Sequence, residues 1–280
     1  MSTSCEAINS KSILYLMQEI DFSKYRAWFF DGDGVLYTGN TPIPLADKFL
    51  EYLKSSGVST ALLTNNSTST LEQYKSKVQK MGMQFDEILT SAYTAIDLLD
   101  VESAYIIGEE GIFNACRKAG IRIVEEGTVP DVVIVGMDRT LTYDKLSTGV
   151  WYILQGARFI ATNPDRTFPL NDRIAPGAGA MIAAVTACVD KNPEFIAGKP
   201  SPHLYIQALE RFNLQPSEVV MVGDRYETDI LGAAKLGIDS ILVRTGIASR
   251  YSESKLNEIR DTPYPPTYIV DSLDSLRILN

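Results

Sequence analysis

The chain has 280 residues, 45% of them apolar, with 26 basic against 35 acidic side chains and a net charge of −9. That apolar share supports a packed core and excludes intrinsic disorder, while the acidic balance argues against nucleic acid as a partner. No run approaches the roughly 18 apolar residues of a membrane span. Cys5, Cys116 and Cys188 are scattered with no CxxC pair, so a cytoplasmic, reducing location is expected.

In chain order, SILYLMQEI (residues 12–20) is interrupted by Gln18 and Glu19 and lacks a small-residue cleavage site, which predicts a short amphipathic helix and not a targeting segment. From there, short apolar runs rich in β-branched and aromatic residues predict strands: AWFF, VSTALLT, SAYIIG, DVVIVG, ARFIAT, EFIAG, VVMVGD and SILVRTG. Between them, PLADKFLEYLKSSG, TSTLEQYKSKVQKMG and SPHLYIQALERFN space apolar residues at three and four, the helical period. Continuous apolar strands linked by helices imply an α/β protein with parallel sheets covered on both faces. Eight or more strands are many for one small sheet. The expectation is a discontinuous core, residues 1–87 and 191–280, with a second α/β domain inserted at 88–190.

Ligands of open α/β sheets bind beyond the carboxyl ends of the strands. There the chain places Asp31-Gly32-Asp33 after AWFF, Thr64-Asn65-Asn66-Ser67 after VSTALL, Lys199-Pro200 after EFIAG, and Asp224 after VVMVG with Asp229 five residues on. Side chains alternate along a strand, so Asp31 and Asp33 project toward the same side. Carboxylates converging with Asp224 repel unless a cation joins them, and all-oxygen ligation suits magnesium. Those groups assemble a phosphoryl-transfer site. Asp31 is placed to attack phosphorus and form an aspartyl-phosphate, and Asp33 to protonate the leaving alkoxide and later activate water. Thr64 and Lys199 are placed to hold the non-bridging oxygens.

The segments DGDGVLY, LLTNNS, GKPSP and VGDRYETDI, in this order, resemble the haloacid dehalogenase superfamily, in particular its branch of 4-nitrophenylphosphatases and phosphoglycolate and pyridoxal phosphatases. VGMDRTLTYDKL, ATNPDRTFP and PGAGAMIAAV resemble the middle of that branch. The resemblance runs from about residue 25 to the end. It implies a Rossmann-like doubly wound core with a large α/β cap inserted between the threonine and lysine motifs. It also implies Mg2+ held by Asp31, Asp224 and the carbonyl of Asp33, with Asp229 assisting, and a hairpin flap over GVLYTGNTPIP. Relatives of this kind often form homodimers through the cap. One departure is TNNSTST, where some relatives carry a basic residue just after the serine and this chain has Thr68 and Ser69.

Other readings are weaker. A lone DxDG is often a turn, and Thr64 has the type of a helix cap. Asn65 and Asn66 divide between shaping the backbone and contacting phosphate. Arg166 has the chemistry to engage a substrate carboxylate or hydroxyl, and equally the exposure of a loop arginine. His203 is the only histidine, so no histidine-based triad exists. GAGAMIAAV lacks the third glycine of a dinucleotide loop. The expected substrate is a small phosphate monoester, hydrolysed by a phosphatase. The same groups also serve a phosphomutase or a non-enzymatic aspartyl-phosphate receiver, although a receiver has no need of Asp33 or an inserted domain.

Overall fold

A computed structural model of the chain describes residues 19–20, 22–125, 127–169 and 173–278. Its strands are β1 (Glu19–Ile20), β2 (Ala27–Phe30), a hairpin of β3 (Tyr37–Thr38) and β4 (Thr41–Pro42), β5 (Ser59–Thr64) and β6 (Glu87–Thr90). There follow β7 (Ser103–Ile107), β8 (Arg122–Ile123), β9 (Val132–Val135), β10 (Arg158–Ala161) and an antiparallel pair, β11 (Thr167–Pro169) and β12 (Ile174–Pro176). The last are β13 (Val219–Gly223), β14 (Asp239–Val243), β15 (Tyr268–Val270) and β16 (Arg277–Ile278).

Two parallel sheets organise the molecule. The larger has six strands in the order β15-β14-β13-β2-β5-β6, and the smaller four in the order β10-β9-β7-β8. In β2 every residue is buried, because both faces of the sheet are covered. Alternation sends Trp28 and Phe30 into one layer, with Phe49, Leu50 and Leu53 of helix α1 (Ala46–Ser55) and Tyr74 and Val78 of α2 (Leu71–Lys80). Ala27 and Phe29 enter the opposite layer, with Leu204, Tyr205 and Ala208 of the helix His203–Phe212. The smaller sheet is covered likewise: Ile106 and Ile134 pack with Ile112 and Cys116, and Ile107 and Val135 with Tyr152 and Val185 on the other face.

The expected α/β architecture is present, with differences in detail. EFIAG is not a strand of the larger sheet. Between Pro193 and Pro200 it makes a single bridge, Ile196 to Ala161, beside β10 of the smaller sheet. Residue 88, the expected start of the insertion, falls inside β6, a strand of the larger sheet. The amphipathic helix expected at residues 12–20 lies outside the described residues except for its end, where Glu19–Ile20 pair as strand with Arg277–Ile278. Among the described residues no helix is long and apolar enough to cross a membrane.

Candidate active site

β2 and β13 are adjacent and in register, and the Asp31 amide donates to the Val222 carbonyl at 2.9 Å, so Asp31 and Asp224 emerge side by side. β5 flanks β2 on its other side and ends in Thr64. These endings line a cavity of about 830 Å³ that also meets Asp33, Lys77, Met137, Arg139, Asp165, Lys199, Arg225 and Asp229.

Lys199 is 1% exposed. Its ammonium lies 2.6 Å from Asp31 Oδ1, 2.7 Å from Asp229 Oδ1 and 2.8 Å from the Leu63 carbonyl. Burial works against the charge, but the Asp229 and Asp31 carboxylates outweigh it and raise the Lys199 pKa. Lys199 arrives from the margin of the smaller sheet, and Asn65 pins its backbone there. Asn65 Oδ1 accepts from the Lys199 amide at 2.8 Å, and Asn65 Nδ2 donates to the Lys199 carbonyl at 3.0 Å and to Asp165 Oδ2 at 3.2 Å.

Among the described residues, Asp31, Asp224 and Asp229 form a group whose carboxylate oxygens lie within 4.8 Å of one another. Burial first, and then the neighbouring carboxylates, raise the pKa of Asp224; burial also raises that of Asp31, against the pull of Lys199. One ammonium serves Asp31 and Asp229, whereas Asp224 accepts from the Ile247 amide at 2.5 Å. Three clustered acids with one buried ammonium leave room for further positive charge, and the donors are hard oxygens. The residues therefore fit a divalent cation such as magnesium. Gly34 makes the approach of the flap to this group feasible. Its φ is +86°, and a Cβ there would run into the Asp224 carboxylate.

Asp33 stands apart from this group. It is exposed, and its Oδ2 accepts from the Gly39 amide of the hairpin at 3.3 Å. Partial burial raises its pKa, opposed by that amide and by Lys77. Thr64 is not a helix cap: α2 begins with a capping box of Thr70 and Gln73, which leaves Thr64 at the cavity. Asn66 Oδ1 accepts from the amides of Thr68 at 3.0 Å and Ser69 at 3.1 Å, shaping the turn, and Asn66 still lines the cavity.

Arg166 is exposed and not part of the cavity lining. The arginines that do line it are others. Arg225 reaches Asp165 Oδ1 at 3.3 Å, and Arg139 grips Glu109 with Nε at 2.8 Å and Nη2 at 2.5 Å. Arg225 carried a signal in its place directly after Asp224. Arg139, Lys77 and Asp165 carried none, since each reads as an ordinary polar residue of a loop or helix.

Comparison with known proteins agrees with this geometry. Residues 28–122 match the model of the haloacid dehalogenase-like hydrolases, and residues 196–276 match a HAD-hydrolase-like model. The chain is 37% identical over 257 residues to an acid sugar phosphatase of Staphylococcus aureus, covering 90% of this chain and 96% of that protein. A thermostable NPPase double mutant of Geobacillus stearothermophilus superposes with a TM-score of 0.81 at 34% identity, over 91% of this chain and 99% of that one. The 4-nitrophenylphosphatase of Thermotoga maritima superposes with a TM-score of 0.82 at 28% identity, over 91% and 97%. The chain belongs to the haloacid dehalogenase-like hydrolases. It is an enzyme, a phosphatase like these relatives.

Proposed function

We propose that the chain hydrolyses a small phosphorylated metabolite through an aspartyl-phosphate on Asp31, with magnesium as cofactor. The observation that carries this reading is the buried Lys199 ammonium held between Asp31 and Asp229 beside Asp224, at the carboxyl edge of the larger sheet. Asp31, Asp224 and Asp229, with the Asp33 carbonyl as a further donor, would hold the magnesium ion. When bound, that ion supplies positive charge that offsets repulsion between the carboxylates and an incoming phosphate.

The chain's own groups account for the steps. An Asp31 oxygen attacks phosphorus, and the bond from phosphorus to the ester oxygen breaks. Asp33, outside the acidic group and with a raised pKa, gives its proton to the departing alkoxide. It then takes a proton from the water that attacks the aspartyl-phosphate, which releases inorganic phosphate and restores Asp31. Thr64 donates to the non-bridging oxygens as charge builds on them, and the Lys199 ammonium, held beside Asp31, attracts that charge electrostatically. Asn65 serves this by fixing the Lys199 backbone, and Asn66 faces the phosphate end of the cavity. The smaller sheet, with its helices, acts as a cap that excludes water and presents Met137, Arg139 and Asp165 to the rest of the substrate. Three scattered cysteines without a CxxC pair, with Cys116 and Cys188 free among the described residues, support a reducing, cytoplasmic setting.

The test is release of inorganic phosphate from 4-nitrophenyl phosphate and from a metabolite panel, with magnesium added or withheld. Sugar phosphates head the panel, given the name of the S. aureus relative. Asp31→Asn should lower turnover by at least about 10³-fold. Turnover near wild type in that variant overturns the nucleophile assignment. Phosphate returned to the substrate marks a mutase, and a stable phosphoprotein without turnover marks a receiver.

A further inference from the structure

Beneath the nucleophile loop, three hydroxyls from three separate elements stand in a row. Tyr37 of the hairpin and Tyr74 of α2 have their phenol oxygens 2.7 Å apart, and the Tyr74 oxygen lies 3.2 Å from Thr64 Oγ1. The three residues are 0%, 5% and 6% exposed. We propose that Tyr74, anchored by Tyr37, is a positioning residue that commits the Thr64 hydroxyl proton to donation into the cavity. The proposal rests on the reading of Thr64 as a donor to phosphoryl oxygen.

Counting protons sets the direction of the row. Thr64 Oγ1 already accepts from the Asn66 amide at 3.1 Å. If Tyr37 donates to Tyr74 and Tyr74 to Thr64, both lone pairs of Oγ1 are filled. Its own proton then has one direction left, toward the cavity that Thr64 lines. In the reverse sense the row would end on the Tyr37 proton, for which the described residues provide no acceptor besides Tyr74. A buried hydroxyl donor without an acceptor is the costlier arrangement.

Two further observations agree. The Lys77 ammonium sits over the Tyr37 ring at 4.1 Å and the Tyr74 ring at 5.7 Å, where a positive charge strengthens phenol O–H donation. Burial raises both phenol pKa values, so the tyrosines remain protonated donors. The row also gives Gly32 a reason. A Cβ there would strike the Tyr37 phenol, whose ring carbon next to the oxygen would lie 2.7 Å away.

The experiment measures steady-state hydrolysis of 4-nitrophenyl phosphate in magnesium by Tyr74→Phe, Thr64→Val, Thr64→Ser and the double variants. Tyr74→Phe should lower kcat about tenfold with KM changed less than about twofold, because the oriented donor acts on charge that develops in the transition state. In the Thr64→Val background it should have no further effect, and in Thr64→Ser the sensitivity should return. Losses that multiply independently of Thr64, or a wild-type kcat in Tyr74→Phe beside a slow Thr64→Val, overturn the proposal alone. A wild-type rate in Thr64→Val overturns the underlying reading and this proposal with it. Should Tyr74→Phe prove unfolded by thermal melting, Tyr37→Phe carries the test, with a smaller fall in kcat and the same dependence on Thr64.

Discussion

Lys199 Nζ stands 2.7 Å from Asp229 Oδ1, and both side chains are 2% exposed. The same ammonium serves Asp31 and the Leu63 carbonyl, so its three protons are all placed. A guanidinium has no room to reproduce three converging short bonds from one atom. Lys199→Arg and Lys199→Met should both lose at least about 100-fold in kcat. Lys199→Met should also lose about 3–5 kcal/mol of stability without metal, since it leaves buried carboxylates unpaired. Denaturant unfolding checks this, and a change under 1 kcal/mol counts against the pairing.

Asp33 lies outside the acidic group, so its carboxylate should be dispensable for holding metal. Asp33→Asn is expected to lower kcat about 10²–10⁴-fold. It should retain the rise in Tm that magnesium produces in the wild type, a rise that Asp224→Asn should abolish. Loss of the magnesium effect in Asp33→Asn would show that the side chain takes part in metal binding.

Gly34 combines a φ of +86° with an open Cα face against the Asp224 carboxylate. Gly34→Ala should cost about 1–3 kcal/mol in backbone strain and displace Asp224. Both a lower Tm and a weaker magnesium dependence of turnover are expected. An unchanged magnesium titration would contradict the close approach.

Asp131, the residue before β9, accepts from the Ser103 hydroxyl at 2.9 Å and from the amides of Ser103 at 2.8 Å and Glu102 at 3.0 Å. The Ser103 bonds, hydroxyl first, hold its carboxyl below the ordinary aspartate value. A depressed folded pKa means stability fully present above the unfolded value and lost as pH falls through the folded one. The Tm gap between wild type and Asp131→Asn should therefore be constant near neutrality and shrink below about pH 4. A gap independent of pH down to 2.5 would contradict this.

Arg166 is exposed beside the cavity lining, whereas Arg139 is in it. Arg166→Ala should leave kcat/KM within about twofold across the phosphate panel, as exposed substitutions away from contacts do. Arg139→Ala should shift KM for some substrates more than others. Equal effects of the two would remove Arg139 from substrate selection.

The central strands were legible in the sequence because burial on both faces makes them uninterrupted apolar runs, as in AWFF and VVMVG. The edge strands β6 and β15 were not. EILT holds only two apolar residues between a charge and a hydroxyl, and YIV, though apolar, is only three residues long, so neither forms a run that stands out. EFIAG misled for the opposite reason, being apolar enough for a core strand while lying along the smaller sheet.

Local spacing by itself determined which groups sit at strand ends: Asp31, Asp33, Thr64 and Asp224 follow directly from where apolar runs stop. Tertiary structure alone decided what those groups touch. Tyr37 and Tyr74 are 37 residues apart and meet only because the hairpin folds onto α2. Lys199 lies 168 residues beyond Asp31 and meets it where Asn65 holds its backbone. Periodicity in a sequence reports burial, which is local; hydrogen-bond partners are set by how the sheets and helices pack, and no short stretch of chain contains that.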